Sequence, residues 1–353
     1  MTRKLTRRRV LAGSATALAA SGWVSSAQSA PPAEKITPEL IAAAQKEGKV
    51  TWYTSVDLAL GEKVAKLFEA KYPGVSMKVE RSGAERNFQR IGQEYGSKIY
   101  NCDVVNSSDA SHFIIWKRQQ LLAAYVPEEV AQHFPDAHKD ADGMYASWRI
   151  TLSPLAYNTK LVKAEDAPKS FADLLDPKWS GKIVKAHPGY SGVIMTTTQQ
   201  LSRELGWSWF EKLSKQKVMQ VQSGTEPPKK MLAGERAIMA DGGEYLLILM
   251  KEKGDPVEIV YPTEGTPFIV GPNGIFKAAP NPNAAKLFQN YCFTPDAQRI
   301  VIDAGGLRSL HTQVKEHAGR KPLADIKLMK EDAAGAEAQS EEIKAKYQKL
   351  FRV

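Results

Sequence analysis

The sequence predicts an α/β protein of two lobes joined by a hinge, and three observations carry that prediction. Short β-branched or aromatic runs alternate with amphipathic stretches along most of the chain. That order suits a mostly parallel sheet with helices on both faces. Two extended runs, Met144–Tyr157 and Pro267–Val270, stand where the chain would cross from one lobe to the other and back. The length of 353 residues is enough for two core-bearing units rather than one.

The elements follow in order. A helix opens at Thr37-Pro38-Glu39, with Thr37 as N-cap and Pro38 at the first helical position, and Gly48 stops it. Val50–Thr54 reads as a strand, and the helix after it runs to Lys71 and breaks at Tyr72-Pro73-Gly74. Val75–Glu80 is a strand, Glu85–Tyr95 a helix and Asp103–Asn106 a third strand. Met144–Tyr157 is too long for a strand of one compact lobe and is read as a crossover, a moving hinge in such pairs. The second series comprises strand Lys182–Ala186, helix Val193–Leu205, strand Ala237–Ala240, helix Glu244–Lys253 and strand Val257–Tyr261. Pro267–Val270 returns the chain. From Pro280 it is helical to Glu341–Leu350, with the Ala/Glu-rich Ala333–Glu342 as a solvated helix. The predicted division is residues 31–150 with 271–353 in one lobe and 151–270 in the other.

Composition narrows the function. With 43% hydrophobic and 25% charged residues the chain has the balance of a soluble globular protein. The formal charge of +9 suggests a polyanion partner, but Arg3, Lys4, Arg7, Arg8 and Arg9 sit in a first thirty residues that hold no acid. The remainder carries 43 Lys+Arg against 39 Asp+Glu, so nucleic acid is not an expected partner. Residues 1–30 read as an export signal, with a basic start, a diluted apolar run from Val10 to Val24, and small residues before Pro31-Pro32. The run is too short and weakly apolar to span a bilayer. Thr6–Leu11 resembles a twin-arginine signal, the general secretory route being the alternative, with cleavage after Ala27 or Ala30. No Cys follows to take a lipid anchor, so a soluble periplasmic monomer is expected. Cys102 and Cys292 could pair in an oxidising compartment; two buried free thiols are the favoured reading.

Ligands of open α/β sheets lie past the carboxyl ends of the strands. In the first lobe that rule selects Ser55, Asp57, Ser82, Gly83, Ser108 and Asp109. In the second it selects Ser191, Gly192 and Val193 at one helix start, and Gly243, Glu244 and Tyr245 at another. Unpaired amides at helix N-termini favour an anion. Several of these residues have plainer roles open to them: Asp57, Asp109 and Ser191 are N-cap types, and Tyr245 stands at helical spacing from Leu249. His112, His187 and His311 are scattered, with no pair at metal-ligand spacing, and no cofactor is implied. Enzyme signatures such as a Gly-x-Ser-x-Gly elbow or a Walker loop are absent, and a triad drawn from Ser and Asp beside His112 or His187 has almost no specificity.

Three stretches resemble the extracellular solute-binding proteins of bacterial ABC importers, in the ferric-iron-binding-like branch of the type II periplasmic fold. They are Gly48-Lys49-Val50-Thr51-Trp52-Tyr53-Thr54-Ser55, Asp173-Leu174-Leu175-Asp176-Pro177-Lys178-Trp179-Ser180-Gly181-Lys182-Ile183, and Tyr261-Pro262-Thr263-Glu264-Gly265-Thr266-Pro267. The resemblance implies a clam-shell that closes on its ligand and docks on an inner-membrane permease driven by a cytoplasmic ATPase. A receptor reporting to a sensor kinase is the alternative partner. Iron receptors of that branch use a His after the first strand, a Glu after the third and two consecutive Tyr at a helix start, beside a Ser-Gly anion loop. Ser191-Gly192 matches the loop and Tyr245 the second Tyr, while Glu244 stands in place of the first. Asp57 lies near the His position and Ser108-Asp109 near the Glu. The resemblance thus favours a small organic anion, phosphonate or sugar phosphate. Ferric iron held by Asp57, Asp109, Glu244 and Tyr245 is the alternative, and a periplasmic hydrolase the last.

Overall fold

The computed structural model describes residues 29–353; the predicted export signal lies outside the described residues apart from Ser29 and Ala30. Helix α1 (Pro38–Glu47) starts where Thr37 Oγ1 accepts from Leu40 N at 3.2 Å, and it ends at Gly48, whose φ of 74° is the left-handed cap a glycine takes without strain. The first lobe then alternates β1 (Lys49–Thr54), α2 (Leu58–Lys71), β2 (Ser76–Arg81), α3 (Ala84–Gly96), β3 (Val104–Asn106), α4 (Ser111–Arg118) and the short α5 (Glu128–His133). Strand β4 (Tyr145–Leu152) leads through Ser153-Pro154 into β5 (Leu155–Asn158), which already belongs to the other sheet. There follow β6 (Ile183–Ala186), α6 (Gly192–Leu205), α7 (Trp207–Ser214), β7 (Met219–Val221), α8 (Glu226–Leu232), β8 (Ile238–Met239), α9 (Glu244–Glu252) and β9 (Val257–Val260). Strand β10 (Phe268–Ile275) returns to the first sheet, before α10 (Pro282–Phe293), α11 (Pro295–Asp303) and α12 (Ala333–Phe351).

The sheets run β2-β1-β3-β10-β4 and β7-β6-β8-β5-β9. They are mixed rather than mostly parallel. β1 pairs parallel with β2 and β3, and β6 parallel with β7 and β8, but the strands next to the hinge, β4, β5, β9 and β10, pair antiparallel. The chain enters and leaves through adjacent strands, and an adjacent return must reverse direction. β4 and β10 align from Phe268 opposite Leu152 to Gly274 opposite Tyr145, with a register slip between Gly271 and Pro272.

Each lobe has its own core. In the first, the ring of Trp52 meets those of Trp148 and Phe288 at centroid distances of 5.4 and 5.3 Å, in edge-on contacts. The second gathers Phe171, Trp209, Phe210 and Leu213. The C-terminal stretch departs from the predicted division. α12 packs on α6 and α7 of the second lobe as well as on α4 of the first. Its Tyr347 completes the second core, because a helix with Ala336, Ile343 and Tyr347 on one side needs an apolar surface to cover that stripe. Only its other face is solvated. Cys102 and Cys292 are buried and free, in separate core clusters. Among the described residues no helix is long and apolar enough to cross a membrane.

Candidate functional site

The carboxyl ends of the parallel strands of both lobes face one another across a cavity. Eight residues selected from the sequence line it: Ser55, Asp57, Gly83 and Ser108 from the first lobe, Ser191, Val193, Gly243 and Tyr245 from the second. Four do not. Ser82 stays in the strand edge, its N–H donating to Thr54 O at 3.1 Å. Asp109 turns back on its own helix, where Oδ1 accepts from Ser111 N at 3.0 Å and Ser111 Oγ at 2.5 Å. Glu244 is buried in an ion pair with Arg308, at 3.0 Å to Nε and 2.9 Å to Nη2, and accepts from Tyr261 O–H at 2.6 Å. Those partners turn the Glu244 carboxylate away from the cavity that the next residue, Tyr245, lines. Gly192 lies against the opposite lobe: a Cβ there would come 2.7 Å from Asp109 Cβ and 2.8 Å from Asp109 N. At Gly83 a Cβ would meet Tyr190 O at 2.8 Å. The lobes are therefore closed on each other around the cavity.

The wall is rich in donors. Helices α3, α6 and α9 point their N-termini inward from Gly83, Ser191 and Gly243, and none has a side-chain cap, which leaves first-turn amides unclaimed. α2 differs, because Asp57 accepts from Ala59 N at 3.1 Å and serves as its cap.

Sequence reasoning missed the two arginines. Arg81, at the end of β2, donates from Nε to Val56 O at 3.1 Å and lines the cavity. Arg149, in the middle of β4, is buried. Its Nη2 donates to Ser55 Oγ at 3.2 Å and Asn106 Oδ1 at 3.3 Å, and its Nε has no partner. Among the described residues no carboxylate pairs with it, and burial pushes its pKa down to about 10. Ser223, Gly224 and Thr225, after β7, are further lining residues that were overlooked, as is Tyr190. The signals existed. Arg149 is the one charge in Ala146–Leu152, and a lone charge in an apolar strand is rarely buried without a reason.

Beneath the second-lobe loops, Lys185 Nζ meets Asp241 Oδ2 at 2.6 Å, both fully buried, and Ala186 N donates to Asp241 Oδ1 at 3.0 Å. That pair ties the end of β6 to the residue that opens the Gly242-Gly243 turn. Tyr347 of α12 lays its ring 4.7 Å from Lys185 Nζ. Burial, with Lys185 adding to it, lowers His187 to about 4. Elsewhere Ser107 Oγ lies 3.1 Å from His112 Nδ1, and His112 Nε2 3.6 Å from Glu85. That row resembles a hydrolase triad on paper, yet Ser107 and His112 are buried away from the cavity wall. Among the described residues no group of three or more His, Cys, Asp or Glu is placed to hold a metal ion, and the carboxylates of the four-oxygen set are not brought together. Burial also pushes the Tyr245 hydroxyl up to about 12.

The family model of bacterial extracellular solute-binding proteins matches residues 103–326. An uncharacterised protein of Haemophilus influenzae is 25% identical over 291 residues, 80% of this chain and 82% of that one. The periplasmic binding protein AfuA from Actinobacillus pleuropneumoniae, solved with exogenous fructose-6-phosphate bound, superposes with a TM-score of 0.79 at 26% identity, over 87% of this chain and 99% of its own. Iron-bound HitA from Pseudomonas aeruginosa superposes with a TM-score of 0.74 over 86% of this chain and 99% of its own, a likeness of fold at 23% identity.

Proposed function

Because the chain belongs to the bacterial extracellular solute-binding proteins, we propose that it is the periplasmic receptor of an ABC importer for a small anionic solute. The solute is an organic anion, a phosphonate or a sugar phosphate, which the lobes enclose and hand to a permease powered by a cytoplasmic ATPase. One observation carries the choice of an anion: Arg149 is buried at the cavity with no carboxylate partner among the described residues. An isolated buried cation costs several kcal/mol in the empty protein, and an anion beside it offsets that cost. The uncapped starts of α6 and α9 add amides that favour the same charge. In this reading the anion bridges Arg149 and Ser55 on one lobe to Ser191, Gly243 and the Ser223–Thr225 loop on the other. Closure and capture are then one event.

The family is one of binding proteins, and we read this member as a binder without turnover. The kinship with an iron-bound structure keeps iron in view as a second cargo. To take it through the four-oxygen set, however, the protein would have to free Glu244 from Arg308. Thermal shift with fructose 6-phosphate, an aminoalkylphosphonate and ferric citrate separates the readings. Stabilisation by phospho-anions that grows with concentration as mass action requires, without product release, supports the proposal. Saturable stabilisation by ferric citrate alone would replace the anion by iron.

A further inference from the structure

Arg149 reaches the cavity from the middle of a strand pinned in a sheet, and the strand beside it makes the room. Gly271 of β10 is paired opposite Arg149. A Cβ at Gly271 would lie 2.9 Å from Arg149 Cγ, 2.9 Å from Cζ and 3.1 Å from Nε. Contact at Cγ, near the root of the side chain, means the arginine lies along residue 271 over its length, so it cannot clear a methyl group by swinging its tip. Gly271 is not among the glycines of positive φ. Its backbone would accept an alanine, and the three atoms nearest the added methyl group all belong to Arg149.

The same spot also fixes what the guanidinium rests on. Past Gly271 the register slips, so that Pro272 faces Ser147 and Trp148 is the extra residue. The carbonyls of Gly271 and Pro272 both accept from Asn106 Nδ2, at 3.2 and 2.9 Å. That orients the amide with Oδ1 towards Arg149 Nη2, at 3.3 Å. The groups that hold the guanidinium, Asn106 and Ser55, are neutral, so they aim the charge without cancelling it.

We propose that Gly271 is a positioning residue: the space it leaves, and the carbonyls of its bulge, aim Arg149 at the bound anion. Affinity then depends on a residue that does not line the cavity. The inference rests on Arg149 being the anion's grip. It is tested with the wild type, Gly271→Ala, Arg149→Ala and the double variant, read two ways. Melting temperatures are taken without ligand, and binding of fructose 6-phosphate and of inorganic phosphate is measured by calorimetry. Gly271→Ala alone is expected to lower the melting temperature and weaken binding by about tenfold or more. In the Arg149→Ala background the same change should alter neither. A melting penalty that persists in full without Arg149 overturns the positioning role whatever the ligand. Full affinity in Gly271→Ala overturns it too, leaving the glycine a packing residue. If the wild type binds neither probe, the phosphate-ester reading falls, and the role in affinity for such ligands with it; the ligand-free melts alone then report whether Gly271 holds Arg149.

Discussion

Two buried arginines sit almost side by side at the hinge and do opposite things. Arg149 is on β4, and the backbone of Arg308 is bridged to Ile150, the next residue along. Both residues are 2% exposed. Around Arg308, burial works against the charge, but Glu244, Tyr261 and Glu316 more than offset it and hold the pKa above the usual arginine range. Around Arg149 the burial is not offset, and the pKa falls to about 10. The carboxylate that separates them is Glu244, which begins the same helix whose next residue, Tyr245, faces the cavity. The difference teaches that a charge near a cleft is a binding group only if the fold has left it without a partner. A satisfied pair is part of the frame.

That contrast can be broken most forcefully at the paired site. Arg308→Ala strands Glu244 as a buried charge, and the unfolding free energy measured in urea should drop by about 3–5 kcal/mol. Arg149→Ala strands no carboxylate, so the empty protein should be no less stable than the wild type. Binding of a phospho-anion, followed by calorimetry, should weaken by about 2–5 kcal/mol. Equal losses of stability in the two variants would erase the distinction. Tyr245→Phe removes one hydroxyl beside Arg149, and binding should weaken by about 1 kcal/mol. Protein mixed with ferric citrate should stay colourless; a visible charge-transfer band that vanishes in Tyr245→Phe would make the tyrosine a metal ligand and the arginine its neighbour. A pH-dependent effect belongs to His187, beside the buried Lys185. Its folded pKa of about 4 lies below the ordinary 6.5, so the unfolded chain binds the proton more readily. The stability it contributes is present above pH 6.5 and declines as pH falls towards 4, and His187→Gln should flatten that part of a melting-versus-pH curve.

Much of this was legible from the chain. Alternating strands and helices, both crossovers and the loops past the strand ends follow from local pattern, and that rule reached Ser55, Ser191 and Tyr245. What it could not reach is tertiary. Arg149 is mid-strand, so a search of strand ends passes over it. Ser223–Thr225 follows β7, which is only three residues long and has no apolar run to announce it. Glu244 and Asp109 were of the right type and in the right place, but Arg308 and Ser111 had claimed them, and Arg308 lies 64 residues from Glu244 in sequence. Two of the stretches that carried the family resemblance prove to be scaffold. Glu264 accepts from Phe171 N at 3.1 Å and from Ala172 N at 3.0 Å, which joins the Tyr261–Pro267 stretch to the segment before Asp173, and Trp179 fills the second core.

The place of Tyr347 bears on the order in which the protein can be made. All the strands of the second sheet have been synthesised once Val260 is in place, yet that lobe's core still lacks a wall. The missing side chain lies near the other end of α12, on the far side of the whole return through the first lobe. Until then Lys185 has the Phe210 ring at 6.0 Å but lacks the nearer ring of Tyr347, at 4.7 Å. The second lobe therefore cannot finish folding as it emerges. It must wait, partly open, for α12, which packs on both lobes.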